Sequence, residues 1–214
     1  PPPPSGSEVH DDFNLNSSII DPSRWSTLRP EDVPFVEVLD GNLVYTVTEQ
    51  GYLTESLWWG THVGRLDYVT LTGDFDFVVH GITFDYGREQ NQYAFAGIAV
   101  LNSLDDYEFS MAGWRNGTRN TVEYKVTTNN NSNQSDVGTV FTDSIDLRLT
   151  RVGNVLTHYY RDSNDSVWVE LPHNNYSRIV VTETLRVGLT AYVFARYFGT
   201  DYFVARVDQV DIIQ

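Results

Sequence analysis

Hydrophobic and polar residues alternate along much of the chain from Phe35 onward. This period of two is typical of β-strands that bury one face and expose the other. In DFDFVVH, Phe75, Phe77 and Val79 share one face, while the two aspartates and His80 share the other. The pattern predicts a strand with its aromatic side turned toward a core.

Other segments show the same pattern. SIDLRLTR turns its isoleucine and leucines to one side and its acidic, basic and threonine residues to the other, and LRVGLTAYVF alternates in the same way. QYAFAGIAVL is apolar on both faces, as expected for a central strand.

Turn signals separate these runs. Gly153–Asn154 and Asp162–Asp165 divide three consecutive strand patterns, which predicts an antiparallel meander with short hairpins. About a dozen strands and no convincing helical period predict an all-β sandwich or barrel. The polar stretch TTNNNSNQSD, at Thr127–Asp136, has no apolar anchor and is expected to be a long exposed loop.

The chain begins with PPPPSGSE, which predicts a polyproline II arm or linker. We assign residues 1–10 to this Pro-rich arm and residues 11–214 to one domain, because a length of 214 residues is normal for a single β-sandwich. A start at Pro1 without methionine suggests a processed product or a piece of a longer protein. The arm is a candidate contact with copies of the same chain.

The composition limits the classes of partner and of site that the protein can have. A hydrophobic fraction of 41% and an aromatic fraction of 14% argue against disorder. A net charge of -15 repels nucleic acid phosphates and anionic lipids, so we expect neither nucleic acid binding nor membrane insertion. The absence of cysteine excludes disulfides and cysteine-based sites. No signal peptide or bilayer-spanning apolar run is visible, and the acidic surface suits an extracellular or cell-surface protein.

Several segments, taken in order, resemble the concanavalin A-like or laminin-G-like superfamily. They are DDFNLNSSIIDPSRW, GDFDFVVHGITF followed by YAFAGIAV, LRLTRVGNVLTHYYRDSNDSVWVEL, LRVGLTAYVF and YFVARVDQVDII. The resemblance extends from about Asp11 to Ile213 and implies an antiparallel jelly-roll β-sandwich. It implies that GDFDFVVH and YAFAGIAV form a central pair and that the last strand pairs near the first.

The same resemblance suggests two structural features. Trp25 and Trp168 stand where the superfamily has core tryptophans. Related modules often hold a structural calcium near the junction of the termini, which makes Asp11, Asp12 and Asp208 the candidate ligands, since calcium takes carboxylate oxygens. Acidic surface residues without a metal are an equally good interpretation.

The superfamily includes sugar-binding modules, adhesion domains, hydrolases, lyases and spacers, so the fold does not choose a function. Its hydrolases need two carboxylates around the scissile bond, with a third acid on the same strand. Here Asp74 and Asp76 share a face, but Val78 and His80 follow them, and Asp208 and Asp211 are three residues apart.

Other catalytic patterns are also missing. The segment from His80 to Gln90 matches no lyase motif, and the five histidines have no metal-binding spacing. A Gly-x-Ser-x-Gly elbow is absent. We identify no catalytic residue, and the sequence leans away from an enzyme.

Sugar sites pair aromatic rings with planar polar groups, because a ring covers the apolar face of a pyranose while the polar groups bond its hydroxyls. Any one of these aromatic residues is also a candidate for the core. The candidate ligand-binding residues near loops or strand ends are Trp58, Trp59, Tyr86, Arg88, Tyr93, Trp114 and Tyr197.

The Asn-x-Ser/Thr acceptor pattern for N-glycosylation occurs repeatedly, and several copies fall in predicted loops where a glycan would be tolerated. The acceptor positions are Asn16, Asn116, Asn130, Asn133, Asn164 and Asn175.

Three functions follow from these observations. The first is a non-catalytic extracellular module that binds a glycan or another surface ligand as part of a larger protein. The second is a self-assembling glycoprotein subunit of a fibre, filament, layer or virion, joined through the arm or through sheet edges. The third is a polysaccharide-degrading enzyme.

Overall fold

A computed structural model describes residues 8–31, 35–47, 58–59, 63–86, 92–115, 117–172, 178–195 and 203–214. Within these residues the chain is all-β, and its strands form one nine-stranded and one seven-stranded antiparallel sheet. This confirms the predicted antiparallel jelly-roll sandwich. No helix in the described ranges has the length and apolar character needed to cross a membrane.

The nine-stranded sheet has the order β13-β12-β11-β6-β15-β4-β3, with β16 also beside β6 and β1 beside β16. Its strands are β1 (Glu8–Asp11), β3 (Phe35–Leu39), β4 (Asn42–Val47), β6 (Phe75–Tyr86), β11 (Ser144–Val152), β12 (Val155–Asp162), β13 (Val169–Glu170), β15 (Phe203–Val207) and β16 (Gln209–Ile213).

The seven-stranded sheet has the order β10-β9-β8-β7-β14-β5-β2. Its strands are β2 (Ser26–Leu28), β5 (Leu66–Thr72), β7 (Gln92–Ser103), β8 (Asp106–Arg115), β9 (Thr118–Thr128), β10 (Asn131–Val137) and β14 (Thr184–Ala195).

The main core lies between the two sheets. Phe77 and Val79 of β6 pair with Leu149 and Leu147 of β11, and all four side chains are fully buried. The inward residues predicted from the alternation are therefore confirmed. Burying each side chain of this size contributes about 1.5–3 kcal/mol, so the alternating pattern alone accounts for much of the driving force that joins the sheets.

The predicted chain path is largely confirmed. β11, β12 and β13 are consecutive neighbours, as expected for the meander. The last strand returns to the first, with Glu8 opposite Ile213. Glu8–His10, which the sequence placed in the Pro-rich arm, belong to this strand pair, while residues 1–7 lie outside the described residues.

Two expectations about strands were wrong. GDFDFVVH and YAFAGIAV do not pair, because β6 and β7 are the central strands of different sheets and face each other across the core. TTNNNSNQSD is not a loop, because β10 runs beside β9 from Asn131 to Val137. An edge strand needs backbone hydrogen bonds on one side only, so a polar sequence can form it.

Of the two tryptophans expected in the core, only Trp25 lies there. Trp25 is buried and packs edge-on against Phe77, with ring centroids 6.5 Å apart. Trp168 is only partly buried and lies on the outer face of the nine-stranded sheet beside Arg148 and Arg161. Its ring stacks on guanidinium groups there instead of packing in the core.

Candidate binding face

The seven-stranded sheet carries a second apolar layer on the side turned away from the nine-stranded sheet. We call this side the binding face. Its aromatic and aliphatic side chains are almost completely buried, so it is covered rather than bare. The layer includes Leu66, Phe95, Ala99, Leu101, Tyr107, Phe109, Met111 and Tyr192, together with Trp58 and Val63.

Trp58 belongs to this layer and is fully buried. Its indole Nε1 donates a hydrogen bond to Thr190 Oγ1 at 3.2 Å. Its ring meets Tyr107 edge-on at 5.5 Å and Phe109 at 6.3 Å between centroids. The φ angle of Trp58 is 59°, a left-handed value that a bulky residue adopts only when its surroundings enforce it.

Lys125 is the single lysine of the chain and is almost completely buried on this face, on β9, the strand next to the sheet edge. Its Nζ donates to the carbonyl oxygen of Trp58 at 3.1 Å and lies 3.4 Å from Glu123 Oε1. Aromatic rings surround the ammonium group, an arrangement that favours a cation. They are Phe109 at 4.6 Å, Trp59 at 5.0 Å and Tyr192 at 5.6 Å from Nζ to the ring centroid.

Glu123 completes the cluster. It is 1% exposed, and its Oε1 accepts a hydrogen bond from the Tyr192 hydroxyl at 3.0 Å. Burial lowers the pKa of Lys125 and raises the pKa of Tyr192 well above its usual value, because both charged forms lose solvation. Glu123 and Lys125 therefore compensate each other's charge in a site that water does not reach.

The exposed part of the binding face lies beside this cluster. Asp136 of β10 stands opposite Glu123, and Gln134 stands opposite Lys125. Asp136 forms an ion pair with Arg115 at the end of β8. Trp59 is 43% exposed, and its ring lies over Lys125. An accessible ring therefore shares this face with a carboxylate and an amide on the neighbouring strand, the two kinds of group that sugar recognition combines.

The structure brings together only part of the predicted ligand-binding set. Trp58, Trp59 and Tyr93 belong to the binding face. Trp114 points the other way, into the core between the sheets, and is 3% exposed. Tyr86 ends β6 in the other sheet. Arg88 and Tyr197 lie outside the described residues.

Sequence analysis did not single out five residues of this face: Arg115, Glu123, Lys125, Asp136 and Tyr192. The sequence does contain a pattern that points to Glu123 and Lys125. In TVEYKVT these two charged residues alternate with apolar ones, which predicts that the charged side chains lie on the opposite face of the strand. Val122, Tyr124 and Val126 are indeed buried in the inter-sheet core, which turns the charged pair to the outside of the sheet.

Two of the candidate calcium ligands have other partners, and the third, Asp208, is exposed between β15 and β16. Asp11 accepts hydrogen bonds from Trp25 Nε1 at 2.8 Å and from the Phe13 amide, and the guanidinium of Arg24 lies 3.8 Å away. Asp12 accepts from Asn14. The described residues contain no group of three or more acidic or histidine side chains that could hold a metal. The Asp11 carboxylate is surrounded by hydrogen-bond donors and a guanidinium, which does not fit a cation site. A bound calcium therefore stays a prediction.

Four of the six glycosylation acceptors are described, and all four are exposed: Asn16, Asn130, Asn133 and Asn164. Asn133 lies on the edge strand β10 and Asn130 in the turn before it. Asn116 and Asn175 lie outside the described residues. Glycosylation stays a prediction at every position.

A second polar cluster occupies the outer face of the nine-stranded sheet. His80 lies between Asp211, 3.0 Å from its Nε2, and Asp146, 3.5 Å from its Nδ1. Asp211 also contacts His10 Nδ1 at 2.7 Å. Asp146 also accepts from Arg161 at 2.7 Å. We call these five residues the histidine–carboxylate network, which connects β1, β6, β11, β12 and β16.

This network shifts proton affinities. The hydrogen bond that His80 donates to Asp146 raises the pKa of His80, with Asp211 acting in the same direction. Donated hydrogen bonds hold the pKa of Asp146 well below its usual range and lower that of Asp211, although burial opposes both shifts. The charged forms of all three groups are therefore favoured.

Comparison with known proteins finds solved structures but no sequence relatives. No model of a protein family matches the chain, and no curated protein matches it.

Three solved structures show the fold. A protein of unknown function from Saccharomyces cerevisiae is 16% identical with a TM-score of 0.63, over 90% of this chain and 94% of that one. An endo-β-1,3(4)-glucanase of family GH16 is 14% identical with a TM-score of 0.59, over 100% and 93%. A xylan β-1,4-xylosidase from Bacillus halodurans is 15% identical with a TM-score of 0.67, over 96% of this chain.

This chain spans only 39% of the xylosidase, whereas it matches nearly the whole of the other two chains. Identities at this level establish the fold and not the activity. The two antiparallel sheets and these similarities together show that the chain has the concanavalin A-like jelly-roll β-sandwich fold.

Proposed function

We propose that this chain is a non-catalytic glycan-binding module of a secreted or cell-surface protein. The observation that carries the proposal is Trp59, whose accessible ring is held over Lys125 on the binding face. On the edge strand, Gln134 stands opposite Lys125 and Asp136 opposite Glu123. A ring with adjacent hydrogen-bonding groups suits the apolar face and the hydroxyls of one sugar unit.

The fold supports the proposal at a coarser level, since solved structures of this fold include a glucanase and a xylosidase. A net charge of -15 suits a protein exposed to solvent outside the cell. The exposed acceptor asparagines agree with that location. These features support an extracellular setting without identifying the glycan.

The carboxylates of the binding face favour binding over hydrolysis. Glu123 and Asp136 stand opposite each other on neighbouring strands, a separation of about 5 Å between Cβ atoms. However, Glu123 is engaged by Lys125 and Tyr192, and Asp136 by Arg115. A glycosidase needs one of its two carboxyl groups to donate a proton, and neither group here is free of an ion-pair partner.

Sedimentation with insoluble polysaccharides tests the proposal. The unmodified chain is expected to co-sediment with at least one of a panel of β-glucan, xylan, cellulose and mannan. Trp59→Ala is expected to weaken binding about tenfold, because it removes the stacking surface. Release of reducing sugar, measured in the same tubes, is expected to stay at the level of buffer alone.

Trp168→Ala is the matched control, since Trp168 is also a partly exposed indole stacked on a cation, but on the other sheet. It should leave binding unchanged. The proposal fails if the unmodified chain sediments with none of the polysaccharides, or if both variants lose binding equally. Steady release of sugar would support the enzyme instead.

A self-assembling subunit is the second candidate. The observation that favours it is a row of exposed apolar side chains beside the edge strand β3, with Leu15 at 84%, Ile19 at 53% and Phe35 at 74% exposure. Exposed apolar groups at a sheet edge favour contact with a second copy. Light scattering over a hundredfold concentration range tests this, because a constant monomer mass would remove the candidate.

A further inference from the structure

We infer that the binding face selects neutral glycans over uronic acid polymers, and that Asp136 sets this selection by neutralising Arg115. The inference rests on the proposed function and names the chemical class of its ligand. It also gives Asp136 a defined task, as a residue that determines specificity without belonging to the buried cluster.

Lys125 is not accessible to an anionic sugar. Its side chain is 3% exposed, and its ammonium group already contacts Glu123 and the carbonyl oxygen of Trp58. The ring of Trp59 stands over it. A carboxylate on a ligand would have to displace this cover and compete with a buried ion pair, which is costly in a site without water.

Arg115 is a second cation, close enough to act on the charge of Lys125, and it is partly accessible, with 26% of its side chain exposed. A guanidinium is the group that best recognises a planar carboxylate. Asp136 occupies it, and 42% of the Asp136 side chain faces solvent. The more exposed end of this ion pair is therefore a carboxylate, which accepts hydrogen bonds from hydroxyl groups and repels a uronate.

A third cation on this face is Arg186 of β14, which lies over the Tyr68 ring at 5.7 Å. In the sheet order, β14 is separated from β9 by β7 and β8, a distance of about 14 Å. Arg186 is thus remote from the sugar unit that would stack on Trp59. The net charge of -15 adds a general repulsion of polyanions at low ionic strength.

The experiment compares binding of neutral hexasaccharides of glucose and xylose with binding of hexagalacturonate. It uses immobilised ligands at low and high salt, with the unmodified chain and Asp136→Asn. The unmodified chain should bind a neutral ligand at both salt concentrations and the galacturonate at neither. Asp136→Asn should gain galacturonate binding of about two- to fivefold over background at low salt, and high salt should abolish the gain.

Glu37→Gln is the matched control, because it removes one exposed negative charge from β3 of the other sheet. It should produce no gain. The double variant Asp136→Asn with Arg115→Gln should lose the gain, since the freed guanidinium is its cause. A gain as large in Glu37→Gln, or galacturonate binding by the unmodified chain, would overturn the inference while leaving glycan binding intact. Absence of binding to every ligand would instead defeat the proposed function and the inference with it.

Discussion

The outer faces of the two sheets hold charged groups in opposite ways. On the seven-stranded sheet, Lys125 and Glu123 are buried beneath aromatic rings and depend on each other. On the nine-stranded sheet, the histidine–carboxylate network is partly open to solvent. The side chains of His80 and Asp211 are about one quarter exposed, whereas Asp146 between His80 and Arg161 is 5% exposed. Each of its two carboxylates, Asp146 and Asp211, is in hydrogen-bond contact with several other groups.

The difference matters because solvent replaces lost partners at an open site and not at a buried one. An unpaired charge inside a covered cluster keeps its full desolvation penalty. An unpaired charge at a partly exposed site is largely rehydrated. Single substitutions in the buried pair should therefore lower the free energy of unfolding strongly. Substitutions in the open network should lower it less, although the network contains more ion pairs.

The largest expected effect comes from Lys125→Met. This substitution keeps most of the side-chain volume but leaves Glu123 buried without its cation, so we expect the free energy of unfolding to fall by about 3 kcal/mol. Urea denaturation followed by tryptophan fluorescence measures the change. Adding Glu123→Gln should recover at least half of the loss, because the neutral amide no longer needs a cation.

Two results would contradict this. A loss below about 1 kcal/mol in the single variant would mean that water reaches Glu123 after all. A double variant no more stable than the single one would mean that the loss comes from packing against Phe109 and Tyr192 rather than from charge.

Sequence analysis anticipated the fold better than the binding face. Alternation in β6 and β11 predicted which side chains form the core, because burial of one face is a local property of a strand. QYAFAGIAVL, apolar on both faces, predicted a central strand, and β7 does lie at the centre of its sheet. The cover itself comes from Trp58, which is remote in sequence from Lys125, so the local pattern around Lys125 does not reveal it.

Asp136 shows a second limit of sequence patterns. A polar stretch without an apolar anchor predicts a loop, yet β10 pairs with β9 over its whole length. Backbone hydrogen bonds, which leave no signature in side-chain polarity, hold this edge strand. The position of Asp136 opposite Glu123 follows from the register between β10 and β9. That register is a property of the folded sheet and could not be predicted from the local sequence.

A smaller effect is expected from Asp146→Asn on the nine-stranded sheet. Asp146 accepts hydrogen bonds from Arg161, from Ser163 and from the Gly81 amide. The substitution weakens these bonds, but Arg161 and His80 regain solvent, so the free energy of unfolding should fall by about 1–2 kcal/mol. The same urea titration measures it.

The comparison between the faces requires Asp146→Asn to cost less than Lys125→Met. Equal or reversed losses would show that the network is as strongly coupled as the buried pair. Asp74→Asn serves as a control, because Asp74 is exposed and accepts a single bond, from the Gly153 amide. Asp74→Asn should lower the free energy of unfolding less than Asp146→Asn does.

The smallest effect concerns pH and isolates His80. Its pKa is raised by Asp146 and Asp211, so its contribution to stability is complete below the unfolded value of about 6.5 and is lost as pH rises through the folded value. Asp146 and Asp211, whose pKa values are lowered, act oppositely. Their contributions are present above about pH 4 and are lost as pH falls through their folded values.

His158 complicates a measurement on the unmodified chain alone. Burial lowers its pKa, so it destabilises the folded state increasingly as pH falls below about 6.5. The difference between the unmodified chain and His80→Gln removes this contribution. We expect that difference to be below about 1 kcal/mol, largest near pH 5–6, and smaller at pH 8. A difference that does not change between pH 5 and pH 8 would mean that His80 acts through packing, and that the open face is no more responsive to protons than the covered one.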